Sequence, residues 1–422
     1  MYFFGYNIGI FLYGFVAKIL ALFQPKAQKW VKGRQDLFQQ LQKEFAVKGI
    51  DKQQLIWFHC SSLGEFEQGR PLIEAIKKQY PNERILLTFF SPSGYEIRKN
   101  YALADVVTYL PLDTQKNAKK FVELVQPKLV FWVKYEYWYH ILAALQQRQI
   151  PTFLVSGIFR ANHFFFSPFG KAHRRCLHFF EHLFVQNTVS KKHLASINIT
   201  HATVAGDTRL DRVLAIVAAE KRFSLIERFV EAKDKAVIIC GSTWSPDETI
   251  ITEYINGHKI NLPYRFIIAP HEIKPLKIKL LQEKITVKSI RYSKLANENI
   301  ADYDVLIIDN IGMLSALYRY GKIAYIGGAF GSGLHNILEP IVFGLPVVFG
   351  TKYQKFEEAV DLVKTKGAFS VQNYEEFKAI IQQLSKEENY QESSAKAKRY
   401  VIDNQGATSL ILQSSQVRSF LE

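Results

Sequence analysis

Short runs of consecutive apolar residues recur along this chain, separated by longer stretches in which apolar positions follow a helical spacing. In the first half the runs are Leu55–His59, Ile85–Phe89, Val106–Tyr109, Leu129–Val133, Thr152–Ser156 and Leu183–Gln186. Between them lie amphipathic patterns such as Pro71–Gln79 and Asn117–Val125. A short run that is apolar throughout predicts a strand buried on both faces. Strands alternating with helices predict a parallel sheet covered by helices on both sides. The pattern restarts at Ala236–Cys240 and continues with Phe266–Ala269, Val305–Ile308, Ile323–Ile326 and Val347–Phe349. The chain therefore reads as α/β, with two doubly wound parallel-sheet domains joined near Ala205–Asp211. The expected boundaries are 25–205 and 206–402, with a C-terminal helix in 403–422 packing back toward the first domain. Ligands of such sheets bind beyond the carboxyl ends of the strands. Two sheets facing a cleft would bring several post-strand loops together.

Residues 1–24 stand apart. Met1 to Phe23 is apolar except for Asn7 and Lys18, and is rich in Phe and Tyr. It lacks the positive leader and small-residue cleavage site of a secretory signal. It is barely long enough to span a bilayer, which takes about 20 residues. Lys26, Lys29, Lys32 and Arg34 follow at once, and by the positive-inside tendency they place the bulk of the protein in the cytoplasm. A spanning anchor and a helix lying in the membrane interface both fit this pattern.

Composition narrows the class. At 422 residues, 48% hydrophobic and 22% charged, the chain is globular and too long for one ordinary core. The formal charge of +15 favours an anionic partner: nucleic acid, an acidic membrane surface or a phosphorylated substrate. Cys60, Cys176 and Cys240 have neither metal spacing nor a disulfide framework, which suits a reducing compartment.

The candidate chemistry sits in the predicted post-strand loops. Cys60-Ser61-Ser62-Leu-Gly-Glu65 follows the first strand. Ser62 and Glu65 have the spacing of a capping box, and Glu65 is equally a candidate general base. Asp113 follows the third strand, and Glu136 lies among aromatics after the fourth. Arg160, then Phe164 to Phe166, Phe169, Lys171, Arg174 and Arg175, follow the fifth. Aromatics mixed with cations suit a phosphate-bearing lipid at an interface, or a half-buried amphipathic helix. In the second half, Gly241-Ser242-Thr243 precedes a predicted helix start, with Ser245 as cap, Pro246 at the first position and Glu248 three residues beyond the cap. The hydroxyls of Ser242 and Thr243 can donate to a phosphate there. Pro270-His271-Glu272 follows the next strand, and His271 is a candidate contact for an anion or a base edge. The stretch Gly327 to Pro346 reads as strand end, glycine loop, short helix and turn. Gly331, Gly333 and the neighbouring glycines are expected to leave backbone N–H groups free at a helix start, with Asn336 and Glu339 at capping-box spacing. No Walker lysine loop, zinc spacing or nucleophile elbow is present in the sequence.

Taken in order, these motifs resemble the 3-deoxy-D-manno-octulosonic acid (Kdo) transferase family of lipopolysaccharide synthesis. The match runs through His59-x-Ser-Ser-Leu-Gly-Glu65, Ser91-Pro-Ser-Gly94, Tyr109-Leu-Pro-Leu-Asp113, Glu136-Tyr-Trp138, Gly206-Asp-Thr-Arg-Leu-Asp211, Gly241-Ser-Thr243, Asp309-x-x-Gly312 and Gly327-Gly-x-Phe to His335-Asn-x-x-Glu339-Pro340. The resemblance implies a GT-B glycosyltransferase of two Rossmann-like domains, with CMP-Kdo as donor, a phosphorylated lipid A precursor as acceptor and no metal or other cofactor. It implies Glu65 as catalytic base. It points to Ser242, Thr243, His271, Gly331, Gly333, Asn336 and Glu339 for the donor, and to Ser61, Ser62, Glu136, Arg160, Arg174 and Arg175 for the acceptor. It further implies an enzyme of the inner membrane with its catalytic domains on the cytoplasmic side, an anionic membrane surface as partner and no nucleic acid.

Three places depart from the family pattern. Pro270-His271-Glu272 stands where the family usually has Pro-Arg-His, Lys134 replaces a carboxylate, and Met313 stands at a usual glutamate. The missing arginine calls for another cation near the donor phosphate, such as Lys274. Two other functions remain open at this level. One is a GT-B enzyme using another nucleotide sugar, such as a UDP-hexose, on a membrane lipid. The other is a non-enzymatic, membrane-attached protein with a basic face.

Overall fold

The computed structural model describes residues 2–50, 55–331 and 333–422, with side chains of all of these but Tyr2 and Asn297. The chain forms two compact units, one of Met1–Asp211 with Gln405–Glu422 and one of Arg212–Asn404. Each is built on a seven-stranded parallel sheet.

In the first unit the strands are β1 (Leu55–Cys60), β2 (Arg84–Phe89), β3 (Val106–Tyr109), β4 (Leu129–Val133), β5 (Thr152–Gly157), β6 (His182–Val185) and β7 (Ala202–Val204), in the order β3-β2-β1-β4-β5-β6-β7. Strand order reverses between β1 and β4. Both are buried along their whole length, as continuous apolar runs require. In the second unit the strands are β8 (Val237–Thr243), β9 (Arg265–Pro270), β10 (Ser289–Arg291), β11 (Val305–Ile307), β12 (Ile323–Ile326), β13 (Val347–Phe349) and β14 (Ala368–Ser370), ordered β10-β11-β9-β8-β12-β13-β14. Here the order reverses between β8 and β12. Loops leaving adjacent strands at such a reversal diverge to opposite faces and open a crevice.

Three strands lack an apolar run of their own in the sequence: β7, β10 and β14, each three residues long. All three are sheet edges, where one side of the strand is unpaired and a long apolar run is not needed. The helix expected from Pro71 begins eight residues earlier, at Leu63. The Ser62 cap starts it, and Pro71 is carried inside. Gly69 on this helix lies so close to β1 and β4 that a Cβ would stand 3.0 Å from Cys60 Sγ and 3.2 Å from Val133 Cγ2.

The chain opens with a helix over Tyr2–Leu20, followed by helices Pro25–Lys32 and Leu37–Lys48. One face of the first helix docks on the first unit. Tyr6 Oη donates to Asp113 Oδ2 at 2.5 Å, Asn7 Oδ1 meets His140 Nε2 at 2.6 Å, and Tyr13 packs edge-on against Trp30. The opposite face stays apolar and exposed, with Phe4 72% and Phe11 69% accessible. At the other end of the chain, Ile411, Leu412, Val417 and Leu421 join the core of the first sheet. Asp211 pins this returning segment by accepting from the N–H groups of Gly406 and Thr408, both at 2.6 Å.

Candidate active site

At the reversal in the first sheet, the loops after β1 and β4 bring Ser61, Ser62, Glu65 and Glu136 around His59. Ser62 caps the helix that follows β1, and its N–H and hydroxyl both donate to Glu65 Oε2 at 2.6 Å. Among the described residues no hydrogen bond falls on Oε1. One oxygen caps the helix and the other is left for chemistry, so the two expected roles of Glu65 do not compete. Burial raises the Glu65 pKa above the usual carboxylate range. The bonds from Ser62 oppose that rise and the charge of Glu136 adds to it.

Glu136 is treated in the opposite way. Trp138 Nε1 donates to its Oε2 at 2.8 Å, the Ser61 hydroxyl bonds the carboxylate, and His59 Nε2 lies 3.8 Å from Oε2. Burial pushes the pKa up, but the His59 imidazole and the two bonds outweigh it and leave Glu136 below the usual range. Trp132 on β4 fixes the loop by donating from its indole to the Glu136 carbonyl. Two nearby carboxylates whose surroundings push their pKa values apart divide the work of proton acceptor and permanent anion between them.

His59 is the residue that the sequence motifs did not single out for a role. Its side chain is fully buried on β1, with Nδ1 2.9 Å from Thr88 Oγ1. Thr88 also takes the Trp57 indole N–H at 2.8 Å. A carboxylate opposite Nε2 favours the imidazole proton on that nitrogen, with the Thr88 hydroxyl donating to Nδ1.

The three arginines are not gathered into this group. Arg174 donates from Nε to the Phe165 carbonyl at 2.6 Å and from Nη2 to the Ser167 carbonyl at 3.3 Å. Its guanidinium ties the phenylalanine-rich loop together through these two carbonyls. Arg175 is exposed and lies over the Phe3 ring of the first helix, 5.7 Å from its centroid. Arg160 is half-buried on the loop after β5. That region is a series of 3₁₀ turns over 164–179, not an amphipathic α-helix, and it leaves Phe164 and Phe169 exposed.

At the reversal in the second sheet lies a cavity of about 550 Å³. Ser242, Asn336 and Glu339 line it, together with His335, Gly312 and Tyr318. Ser242 holds φ +53°, a left-handed conformation that a serine adopts only under constraint. Gly327 explains it. The two strands approach so closely that a Cβ on Gly327 would stand 2.3 Å from the Ser242 carbonyl. Arg212 and Lys221 supply the cations of this cavity. Neither was marked by the sequence, because they lie far in the chain from every glycine loop. Lys274, the expected replacement for the family arginine, is instead paired with Glu272 at 3.2 Å, and Lys277 holds the same carboxylate.

The glycine loop departs from expectation. The N–H groups of Gly331 and Gly333 both donate to the Gly328 carbonyl, at 2.9 and 3.2 Å. They are spent on the loop itself and are not offered to a phosphate. The helix beyond is a single turn, Leu338–Ile341, and Ser332 lies outside the described residues. Asn336 does not close a capping box there. Its Oδ1 accepts from Leu338 N at 3.1 Å, and its Nδ2 donates to Glu339 Oε1 at 3.3 Å.

Thr243 points elsewhere. Its hydroxyl donates to Glu248 at 3.2 Å, and both residues line a separate hollow of about 130 Å³. The cap of helix Ser245–Gly257 is shifted by one residue from the expected place. Asp247, not Glu248, receives the Trp244 N–H at 2.9 Å, and the same carboxylate also accepts from Gly328 N and Tyr325 Oη. His271 stacks on both Trp244 and His335, each at 4.5 Å between ring centroids. His335 accepts the Trp244 indole N–H on Nε2 at 3.0 Å. Burial and then the neighbouring His271 bring its pKa down to about 4. It is a neutral ring in the cavity wall.

Two parallel sheets with post-strand hollows at their reversals make up the GT-B fold. Residues 35–212 match the family model described as 3-deoxy-D-manno-octulosonic-acid transferase (kdotransferase). The 3-deoxy-D-manno-octulosonic acid transferase of Aquifex aeolicus is 28% identical over 75% of this chain and 82% of its own length. A bifunctional glycosyltransferase/methyltransferase of Fusobacterium nucleatum is 26% identical over 90% of this chain, which spans 60% of that protein's length. Among solved structures, UDP-GlcNAc 2-epimerase from Neisseria meningitidis bound to UDP-GlcNAc shares the fold, with a TM-score of 0.60 at 15% identity, covering 85% of this chain and 98% of that one.

Proposed function

We propose that this protein transfers Kdo from CMP-Kdo to a lipid A precursor, lipid IV(A), with inversion at the anomeric carbon. The observation that carries the proposal is the carboxylate pair Glu65 and Glu136, held around His59 with opposite pKa shifts. A sugar hydroxyl is a poor nucleophile and needs a base as it attacks. Glu65 takes that proton on Oε1. The hydroxyl oxygen bonds the anomeric carbon as the bond to the CMP phosphate oxygen breaks, and CMP departs with the electron pair. Attack opposite the leaving group inverts the centre. Ionised Glu136 stabilises the positive charge that grows on the sugar ring. Arg212, Lys221 and the Ser242 hydroxyl meet the charge of the departing phosphate, and Glu339 receives the ribose hydroxyls. No step calls for a metal or other cofactor.

The first helix attaches the enzyme to a membrane. Because one face docks along the protein, we place it in the interface with its apolar face in the lipid, and the two units on the cytoplasmic side.

Product analysis with CMP-Kdo and a tetra-acylated lipid A precursor tests the function. A Kdo adduct of inverted anomeric configuration is expected, absent in Glu65→Ala although that variant still binds CMP. Turnover with a UDP-sugar in place of CMP-Kdo, or full activity of Glu65→Ala, overturns it.

A further inference from the structure

We infer that the hollow between the first two helices is a groove for one acyl chain of the acceptor. The inference rests on the lipid-acceptor reading above and assigns that acceptor a second point of attachment. Val16, Ala17 and Leu20 of helix Tyr2–Leu20, Ala27 and Trp30 of helix Pro25–Lys32, and Phe90 beyond β2 form its walls. Its volume of about 270 Å³ lies just below the ~300 Å³ at which pockets for larger ligands begin. Gln24, Lys26 and Ser91 complete the lining, so the apolar walls take a hydrocarbon chain and these polar groups can meet its head.

The groove adjoins the loops that carry the carboxylate site. The N–H groups of Phe90 and Ser91 both donate to the Ser61 carbonyl, at 3.2 and 2.7 Å. The Phe90 ring lies 4.6 Å from that of Trp138, which donates to Glu136. Phe90 is thus a wall of the groove and a support of the carboxylate site at once.

The walls are held before any ligand arrives. Arg34 donates to the carbonyls of Phe90 at 2.8 Å, Trp30 at 3.0 Å and Leu110 at 2.9 Å, and its guanidinium stacks 3.9 Å above the Trp30 ring. Trp30 itself is 9% exposed, and its indole N–H finds no hydrogen-bond partner among the described residues.

Tryptophan quenching tests the inference on the full-length protein in nonionic micelles. The probe is glucosamine 1-phosphate N-acylated with a chain carrying two bromines, which quench a nearby indole. Saturable quenching is expected, with the quenched component lost in Trp30→Phe. Affinity should rise about fourfold per added methylene until the groove is full. Ala17→Phe and Ala27→Phe fill the groove from opposite walls. Each should weaken binding tenfold or more, and two variants guard against one that fails to fold. Unchanged quenching in both folded variants overturns the groove. So does equal quenching by vesicles of brominated phosphatidylcholine, which would mean that the hollow merely faces the bilayer. The assay needs no turnover. A protein that binds the probe as described yet transfers no Kdo would sink the transferase proposal alone.

Discussion

His59 Nε2 stands 3.8 Å from Glu136 Oε2, although 76 residues separate the two in the chain. The contact exists because β1 and β4 are neighbours at the strand-order reversal, with His59 paired to Trp132 across the ladder. Trp132 closes on the imidazole from one side, at 4.2 Å between rings, and Thr88 holds Nδ1 from the other. In the proposed reaction a fully buried imidazole so placed tunes Glu136 without touching substrate, as a positioning residue.

Replacing His59 by Gln removes the imidazole from beside Glu136. Its pKa should rise toward the ordinary value, because burial then acts with less opposition. Acceptor kcat/KM should fall about 10- to 100-fold while donor KM stays within a factor of two, and the acidic limb of the pH profile should move to higher pH. A simple loss of fold would lower both parameters and leave the limb in place.

Glu65→Gln keeps an oxygen for the Ser62 N–H but removes the base. Transfer should drop by about 10²- to 10⁴-fold. Stability should move the other way. The folded-state pKa of Glu65 is raised, so its stabilising contribution is fully present below the unfolded value of about 4.3. It is lost as pH rises through the folded pKa. Glutamine never ionises, so the variant should unfold at neutral pH no lower than the parent, as thermal melts at pH 5 and pH 8 would show.

Ser242→Gly relieves the left-handed strain at φ +53°, which is worth up to about 1 kcal/mol. The same change removes a hydroxyl from the cavity proposed to take the donor phosphate. CMP affinity, measured by calorimetry, should fall about tenfold or more, as for a lost bond to a charged group. A more stable protein with weaker CMP binding is the expected pair of results.

Asp211→Ala leaves the N–H groups of Gly406 and Thr408 without their acceptor. The loss should cost about 1–3 kcal/mol and free the C-terminal helices for proteolysis. Urea unfolding and limited digestion measure the two effects.

Exchanging Phe4, Phe11 and Phe15 for serine removes apolar surface that is 72, 69 and 54% exposed. Sedimentation with anionic vesicles should fall at least 100-fold, since each ring contributes about 1.5–3 kcal/mol on burial. The melting temperature should change little, because more than half of each ring's surface is exposed.

The inner strands were legible because each is an unbroken apolar run, and a strand buried on both faces must be one. The edges β7, β10 and β14 were not, because a three-residue strand with one open side leaves no such trace. Ser62 and Glu65 announced a capping box by spacing alone, since their bonds are local. The glycine loop announced a tight turn, but not that the amides of Gly331 and Gly333 would close on Gly328. That depends on Gly328 holding φ +94°, a freedom any glycine has but not every glycine uses. Arg174 read as a ligand because it lies among aromatics. Carbonyls of its own loop claimed it.

By itself the sequence determined the α/β class, the restart into a second sheet, the loops that follow each strand and the family those loops resemble. These follow from short-range patterns, in which a residue's neighbours in the chain decide its environment. Tertiary structure alone decided which residues from different loops meet: His59 with Glu136, Arg212 and Lys221 with Ser242, and Phe90 with both the groove and Ser61. Such contacts are set by strand order at the reversals, and strand order comes from packing whole faces, a property that no local window of sequence contains.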